Sequence, residues 1–482
     1  MTPNDVLIPL GWTLLISVGS VTIALLGGVP LGYWLSALGI RVRSLIAPVL
    51  ALPFFLPTII IGVIVVPFLN RDESSALILT ATLILIQGLI NVGFVALTAS
   101  STLAGIPAAH RESATLEGAT RGQIAKLIEL PQLRGALASV SLLIALYSAT
   151  NYSLAQLLGR GYVSTLEIEI AKFAFRELDF AAALLLGLVH MLLTSSLFVI
   201  SSRLGGDALG LNLFGGDTRR MPDRQLVRPP LLLATGGWIF AALLAALLTT
   251  PLIRSLSTST GFGLDNYMNL ATRGERKILD VTVLDASLNS ARNLALTLLI
   301  ALPIAWLLSR VRGSRRVFAR TLGVWPAAIS PVVLGLAVLV LASQLGLRAT
   351  EAWPLLPLTQ ALVALPLLTL LFSSAYAAMD RDLLDAASVD GASALQRWWF
   401  VEIPLLRAPL STGVLFASLA GLGEFAAASF LTLGSQTTLP LAIYQLAARP
   451  GQENLGMAMA ATTIFIGFGL LVLLVQRKLS RN

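Results

Sequence analysis

The chain has 482 residues; 56% are hydrophobic, 12% are charged, and the mean hydropathy is +0.83. That charged share is about half the usual one and cannot clothe a water-exposed globule, which excludes an ordinary soluble protein. The net charge of +8 would raise nucleic acid in a soluble chain, but here the basic residues fall in short loops between apolar runs; the lack of cysteine excludes disulfides, thiolate metal sites and a Cys nucleophile.

Apolar runs long enough to cross a bilayer follow one another at 8–38, 46–69, 76–100, 133–157, 178–202, 229–253, 288–309, 317–345, 353–378, 408–432 and 455–476. They predict an all-α polytopic membrane protein of about 11 transmembrane helices. The opening MTPNDVLIPL lacks the basic n-region of a signal peptide. The stretch 203–228, with Gly, Asp, Pro and five Arg, reads as a linker; 254–287 reads as an outside loop, and both as connections. With the first residues outside, the inside segments hold 22 Lys+Arg and the outside segments 10, with Arg292 at a span edge. The positive-inside rule then predicts an outside N-terminus and a cytoplasmic C-terminus.

The sequence is written twice, at the constant offset that separates Pro30 from Pro303. Pro30, Leu35 and Ser36 match Pro303, Leu308 and Ser309; Pro53 and Gly62 match Pro326 and Gly335; Gln87 matches Gln360; Leu133 and Arg134 match Leu406 and Arg407; Thr165, Leu166 and Ile170 match Thr438, Leu439 and Ile443. The duplication spans at least 30–170 and 303–443 and divides the chain into 1–202, the linker, and 229–482, with spans counted 5+6. Both copies have the same orientation, so the repeat is parallel rather than inverted.

Inside it lie two charged segments, ESATLEGATRGQIAKLIELP (112–131) and DAASVDGASALQRWWFVEIP (385–404). Each predicts a short helix, a left-handed glycine that stops it, a second helix, and a proline that stops or redirects the chain. In the first copy Ile124, Leu127 and Ile128 form one apolar face. Two copies at one inside level suit docking to a two-fold partner. The spacings E-S-A-x3-G-x9-I-E-L-P and D-A-A-x3-G-x9-V-E-I-P resemble the pattern E-A-A-x3-G-x9-I-x-L-P of permease subunits in binding-protein-dependent type I ABC importers. Ser113, Asp385, Val401 and Ile403 are its mild departures. The resemblance implies two tandem type I transmembrane domains whose segments couple to two copies of a separate ATPase, with an extracytoplasmic solute-binding protein delivering cargo. It implies coupling contacts at Glu112, Ser113, Ala114, Glu117, Gly118 and Pro131, and at Asp385, Ala386, Ala387, Asp390, Gly391 and Pro404. No Gly-Lys pair and hence no P-loop occurs, so ATP–Mg belongs to the partner and no cofactor or catalytic residue is expected on this chain. Nucleic acid is not an expected partner; membrane lipid is. The fused halves and GEFAAASFL (423–431) resemble the ferric-iron and thiamine permeases, without choosing between a metal and an organic cation.

Glu424 is costly inside a span and is a translocation-path candidate, with Asn151 at the matching place. Gln87 and Gln360 are further path candidates, although hydrogen bonding between helices is their simpler role. His190 reads as a structural histidine, and with His110 as the only other one no metal site is expected. Pro53/Pro326 with Gly62/Gly335 predict broken helices along the path. The alternatives are an ion-coupled secondary transporter with two parallel repeats, and a membrane-embedded enzyme, which lacks any cluster of reactive side chains.

Overall fold

A computed structural model describes residues 2–69, 75–159, 161–205, 230–258, 261–311, 315–347, 353–379, 381–432, 434–449 and 451–479. Residues 206–228 of the expected linker lie outside these. The first half comprises α1 (Asn4–Ser36), α2 (Ile40–Phe55), α3 (Thr58–Val65), α4 (Ala76–Gly105), α5 (Ala108–Leu116), α6 (Arg121–Ile124), α7 (Leu130–Ala149), α8 (Tyr152–Leu158), α9 (Leu166–Phe175) and α10 (Phe180–Gly205). An extra helix follows, α11 (Leu231–Ser255). A small lobe comes next: a two-stranded hairpin, β1 (Ser257–Thr258) and β2 (Gly261–Phe262), and α12 (Asp265–Met268). The second half is α13 (Val283–Arg310), α14 (Arg316–Val324), α15 (Pro331–Gln344), α16 (Leu356–Ala378), α17 (Arg381–Val389), α18 (Ala394–Arg397), α19 (Ile403–Gly423), α20 (Ala428–Leu431), α21 (Leu439–Ala448) and α22 (Gln452–Leu479).

The duplication is structural. Carried along the chain by the repeat offset, the bounds of α5, α6 and α9 become those of α17, α18 and α21. The correspondence also reaches further toward the N-terminus than the sequence matches do. Along α1 the buried face carries Thr13, Ser17, Ser20, Ala24, Gly28, Gly32 and Ser36; along α13 it carries Ala286, Ser290, Asn293, Thr297, Ala301, Ala305 and Ser309, residue for residue at the same offset. Three- and four-residue steps put these small side chains on one face, so the backbones of neighbouring helices approach closely. α1 lies along α4 and α13 along α16.

Among the described residues, eight helices are long and apolar enough to cross a membrane, rising to 11 if each sharply bent pair counts as one span. Two of the bent pairs are the broken helices expected from Pro53 and Pro326. Within 46–69 the chain turns by 91° between Phe55 and Thr58, and within 317–345 by 96° between Ala327 and Pro331. The breaks fall beyond Pro53 and Pro326, at Leu56–Pro57 and Ile329–Ser330, where the backbone is extended. Gly62 and Gly335 serve packing instead: a methyl added at Gly62 would lie 2.9 Å from Leu157 of α8, and one at Gly335 2.9 Å from the Ala427 backbone. The expected spans 133–157 and 408–432 each end early, at Ala149 and Gly423, and resume as the short helices α8 and α20. A further 69° bend between Arg407 and Pro409 has no counterpart in the first half, because Pro409 has none: Ala136 stands there.

The halves exchange arms. α21 and α22 pack on α3 and α2 of the first half, while α9 packs on α15 and α10 on the turn Trp325–Ala328 of the second. α11 precedes the second copy in sequence but lies against α1 and α22, with Trp34 and Trp238 edge to face at 4.9 Å. The stretch 254–287 is more than a connection. Asn269 donates to Glu453 (2.8 Å), and the Glu275 amide donates to buried Asn454 (2.9 Å), which pins this lobe to the start of α22.

Gly28 and Gly93 test the close-packing argument. A Cβ at Gly28 would fall 2.3 Å from Val95 Cβ, and one at Gly93 1.8 Å from the Leu50 carbonyl oxygen. Gly93→Val should destabilise the protein by about 1–3 kcal/mol or more, since the obstructing atom is backbone. Gly105→Val, where nothing lies within 4 Å of the added Cβ, should be nearly silent in the same thermal unfolding measurement in detergent.

Candidate functional site

The helix breaks converge on one cavity of about 340 Å³. Its wall includes Leu56, Pro57 and Thr58 at one break and Ile329 and Pro331 at the matched one; Asn151 and Tyr152 stand at a third, Glu424 and Phe425 at the fourth. Each half therefore presents the same two places to a shared space. The aromatic lining is one-sided. Phe54 stacks on Phe94 (ring centroids 4.4 Å apart, 6° between planes) and meets Tyr147 edge-on at 5.4 Å. The matched residues Ala327, Leu367 and Ala420 leave room on the other side.

The breaks after α7 and α19 expose backbone groups that an unbroken helix would satisfy, and matched polar side chains take them up. Asn151 caps α8, its Oδ1 accepting from the Leu154 amide (3.3 Å) and from the Thr58 hydroxyl (2.9 Å). Glu424 is its counterpart in the second copy, and its two oxygens accept from the Ala427 and Ala428 amides at 2.8 and 3.1 Å. Gln87 donates to the Ser148 carbonyl (3.0 Å) at the end of α7, and Gln360 to the Gly421 carbonyl (2.9 Å) at the end of α19. Asn151, Glu424 and Gln87 line the cavity, but the polar atoms of all four residues hold the broken helices together. Glu424 is thus not an unsatisfied carboxylate inside a span.

At one end of the bundle stand the two charged hairpins. α5 ends at Leu116, and Gly118 takes φ +87°; α17 ends at Val389, and Gly391 takes φ +82°. The amides of Ala119 and Ala392 then close back on the Ala114 and Ala387 carbonyls at 2.9 and 3.0 Å. Thr120 and Ser393 open the next helices with reciprocal capping boxes to Gln123 and Gln396. Glu112, Ser113, Glu117 and Gly118 are exposed, as are Asp385, Ala386, Asp390 and Gly391; Ala114 and Ala387 are half-buried. Beyond the motif, Leu116 and Val389, again a matched pair, are 88% and 87% exposed. An exposed leucine in a leucine-rich chain gives no sequence signal by itself; the repeat would have flagged the pair.

Two expectations for the hairpins are corrected. Pro131 and Pro404 neither stop nor redirect the chain. They sit in the first turn of α7 and α19, where a missing N–H costs least. Ala125–Glu129 and Trp398–Glu402 form π-helical turns that carry the helix straight through. The wider turn also undoes the expected apolar face: Ile124 is buried, but Leu127 is exposed and Glu129 turns inward.

Glu129 and Glu402 are matched and buried, yet their partners differ. Arg111 of α5 binds Glu129 at 2.7 Å and also donates to the Leu103 carbonyl (2.7 Å) near the end of α4 and the Ile106 carbonyl (3.3 Å) just past it. Arg310, at the end of α13, binds Glu402 at 2.7 Å, and the Tyr376 hydroxyl of α16 donates to its other oxygen at 2.8 Å. Leu384 stands where Arg111 would repeat, and Ala37 where Arg310 would. The first hairpin is clamped to its own helix end; the second half clamps its π turn to α13 and α16 instead. Arg111→Met, which strands a buried carboxylate, should cost about 3–5 kcal/mol in unfolding, most of it recovered in Arg111→Leu/Glu129→Leu. Arg310 is more exposed (37% against 10%), so Arg310→Met should cost less.

Comparison with known proteins fits this architecture. Residues 28–206 and 297–482 each match the family described as binding-protein-dependent transport system inner membrane component. The chain is 27% identical over 402 residues to a probable ABC transporter permease protein of Sinorhizobium fredii, covering 77% of this chain and 67% of the relative. It is 28% identical over 219 residues to the molybdenum transport system permease protein of Haemophilus influenzae (42% of this chain, 95% of the relative). It is 30% identical over 129 residues to a sulfate transport system permease protein of Synechococcus elongatus (24% and 45%). Such a permease is a non-catalytic, cofactor-free transport subunit that works with ATPase and binding-protein partners. With both halves matched, the chain belongs to the binding-protein-dependent transport system inner membrane components, as a duplicated, multi-pass ABC permease.

Proposed function

We propose that the chain is the fused permease of an ATP-driven importer, each hairpin seating one of two copies of a separate ATPase at the cytoplasmic face. The observation that carries this is the matched presentation of Glu112–Gly118 and Asp385–Gly391, with Leu116 and Val389 almost fully exposed on otherwise charged turns. An apolar side chain so placed at both repeats suits insertion into a partner's pocket. On this reading residues 1–202 and 229–482 act as two permease domains. The opposite face receives the solute-binding protein, and ATP–Mg stays on the partner. The excess of basic residues supports hairpins and a C-terminus inside and an N-terminus outside. The secondary-transporter alternative loses its best relay residue, because Glu424 caps a helix.

For the cargo, the one-sided aromatic wall of Phe54, Phe94 and Tyr147, with Tyr152 and Phe425, favours a compact aromatic cation of the thiamine kind. Cations and ring systems are held by such faces. It does not offer the clustered oxygen ligands that a bare ferric ion takes. The substrates for which the relatives are named favour a second reading, a tetrahedral oxyanion such as molybdate or sulfate.

Gly118→Trp and Gly391→Trp place a bulky side chain at positive φ in the proposed sockets. Each should cut co-purification of the ATPase and ATP-dependent uptake by about tenfold or more, equivalent to about 1.4 kcal/mol. Leu116→Asp and Val389→Asp should do the same without straining the turn. Normal association and uptake in all four would remove the hairpins from coupling. In proteoliposomes with the binding protein and ATPase, thiamine should be imported, and Phe94→Ala should raise its KM by about tenfold. Import of molybdate or sulfate in its place, unaffected by Phe94→Ala, would assign the oxyanion reading.

A further inference from the structure

Behind the cavity wall lies a buried ionisable pair that neither the cavity nor the hairpins use. Glu167, in the first turn of α9, places Oε1 3.1 Å from Nδ1 of His190 in α10, and both side chains are 1% exposed. Glu167 also faces the hydroxyl of Ser330, the residue that caps α15 in the second half. His190 faces the carbonyl of Ala149, the last residue of α7. Those neighbours adjoin the wall itself: Ile329 and Pro331 flank Ser330, and Ser148 and Thr150 flank Ala149. The pair therefore sits at the seam where the first half's arm meets the second half's helix break. It belongs to one half alone, since Pro440 and Thr463 occupy the matched positions.

The pair is close but poorly aligned. Neither carboxylate oxygen and neither ring nitrogen completes a well-directed hydrogen bond, so four buried polar atoms go under-satisfied. Burial without full pairing penalises a charge on either group. Of the elements around it, α8 contributes the Tyr152 hydroxyl, with Tyr444 and Arg176 lying toward that tyrosine. α15 contributes Ser330, and among the described residues α7 and α1 contribute no charged group there. Glu169 and Lys172 of α9 pair with each other (3.0 Å) and Glu169 with Ser164. Among the described residues, His190 is the basic side chain that meets Glu167. Such a pair is electrically neutral only while it holds one proton, on either partner.

We propose that Glu167 and His190 form a proton-binding site that latches the first half's α9–α10 arm to the second half's helix break at Ser330. With the proton bound, the neutral pair tolerates burial and the seam stays closed. When the proton leaves, a lone anion remains against Ser330, and the seam loosens. The latch thus weakens as pH rises. It does not depend on which solute is carried or on ATPase docking.

The chain has no cysteine, so a pair of introduced cysteines can be labelled cleanly. Leu188 on α10 and Leu341 on α15 are exposed on the two sides of the seam (47% and 53%). Leu188→Cys/Leu341→Cys, spin-labelled in nanodiscs without ATPase, should show by pulsed electron paramagnetic resonance a short-distance population that falls by about half or more between about pH 5 and about pH 9. Adding Glu167→Gln, neutral throughout, should keep the short population and abolish the pH response. Ser330→Ala should lower the short population at every pH while retaining the response. A pH-independent distance in the parent, an unchanged response in a monodisperse Glu167→Gln protein, or no effect of Ser330→Ala would each overturn the latch.

Discussion

Where a helix is interrupted inside a membrane protein, backbone N–H and C=O groups lose their partners with no water to replace them. That constraint organises this protein around its centre. Four interruptions meet at the cavity, and the side chains there are spent on backbone groups. Asn151 and Glu424 satisfy amides that begin the short helices; Gln87 and Gln360 satisfy carbonyls that end the long ones. Because the bonds repeat at the same spacing, the two halves are held open to one another by the same device used twice. Irregular backbone then faces a shared space rather than lipid.

The long helices that flank the cavity make this possible through size rather than polarity. Small residues on α1 and α13 let them lie close to α4 and α16, and the exchanged arms α9–α10 and α21–α22 close the remaining sides. Each half is therefore completed by the other. Relative motion of the halves must pass through the arm contacts, and that is where the buried pair Glu167–His190 lies.

The ends that carry the hairpins obey the duplication in backbone and depart from it in electrostatics. Gly118 and Gly391 make the same turn, and Glu129 and Glu402 are buried alike. Their neutralising arginines come from different elements. Arg111 fastens the first hairpin to its own helix ends, whereas Arg310 and Tyr376 fasten the second half's π turn to α13 and α16. Matched surfaces of this kind suit identical partners, while the unlike anchoring makes the two halves mechanically distinct.

Most of the architecture was legible in the residues themselves. Apolar run length marks the segments that can cross a membrane, and the echo from Pro30 to Pro303 and onward marks the duplication. A glycine between two short helical stretches marks the hairpins, since that feature depends on neighbours in the chain. Contacts between distant segments were not legible. Pro53 suggested a broken helix, but the break lies at Leu56–Pro57, where α3 must turn to meet α8. Pro131 suggested a stop, but a π turn accommodates it. Glu424 suggested a path charge, yet only its folded position shows two amides within reach. The partners of Glu129 and Glu402 lie 18 and 92 residues away in sequence, and that of His190 on the preceding helix, in pairings the repeat does not reproduce. Local sequence determined which segments enter the membrane and turn at its surface; tertiary packing alone decided which buried charges meet, because burial makes partnership obligatory without saying which partner is near.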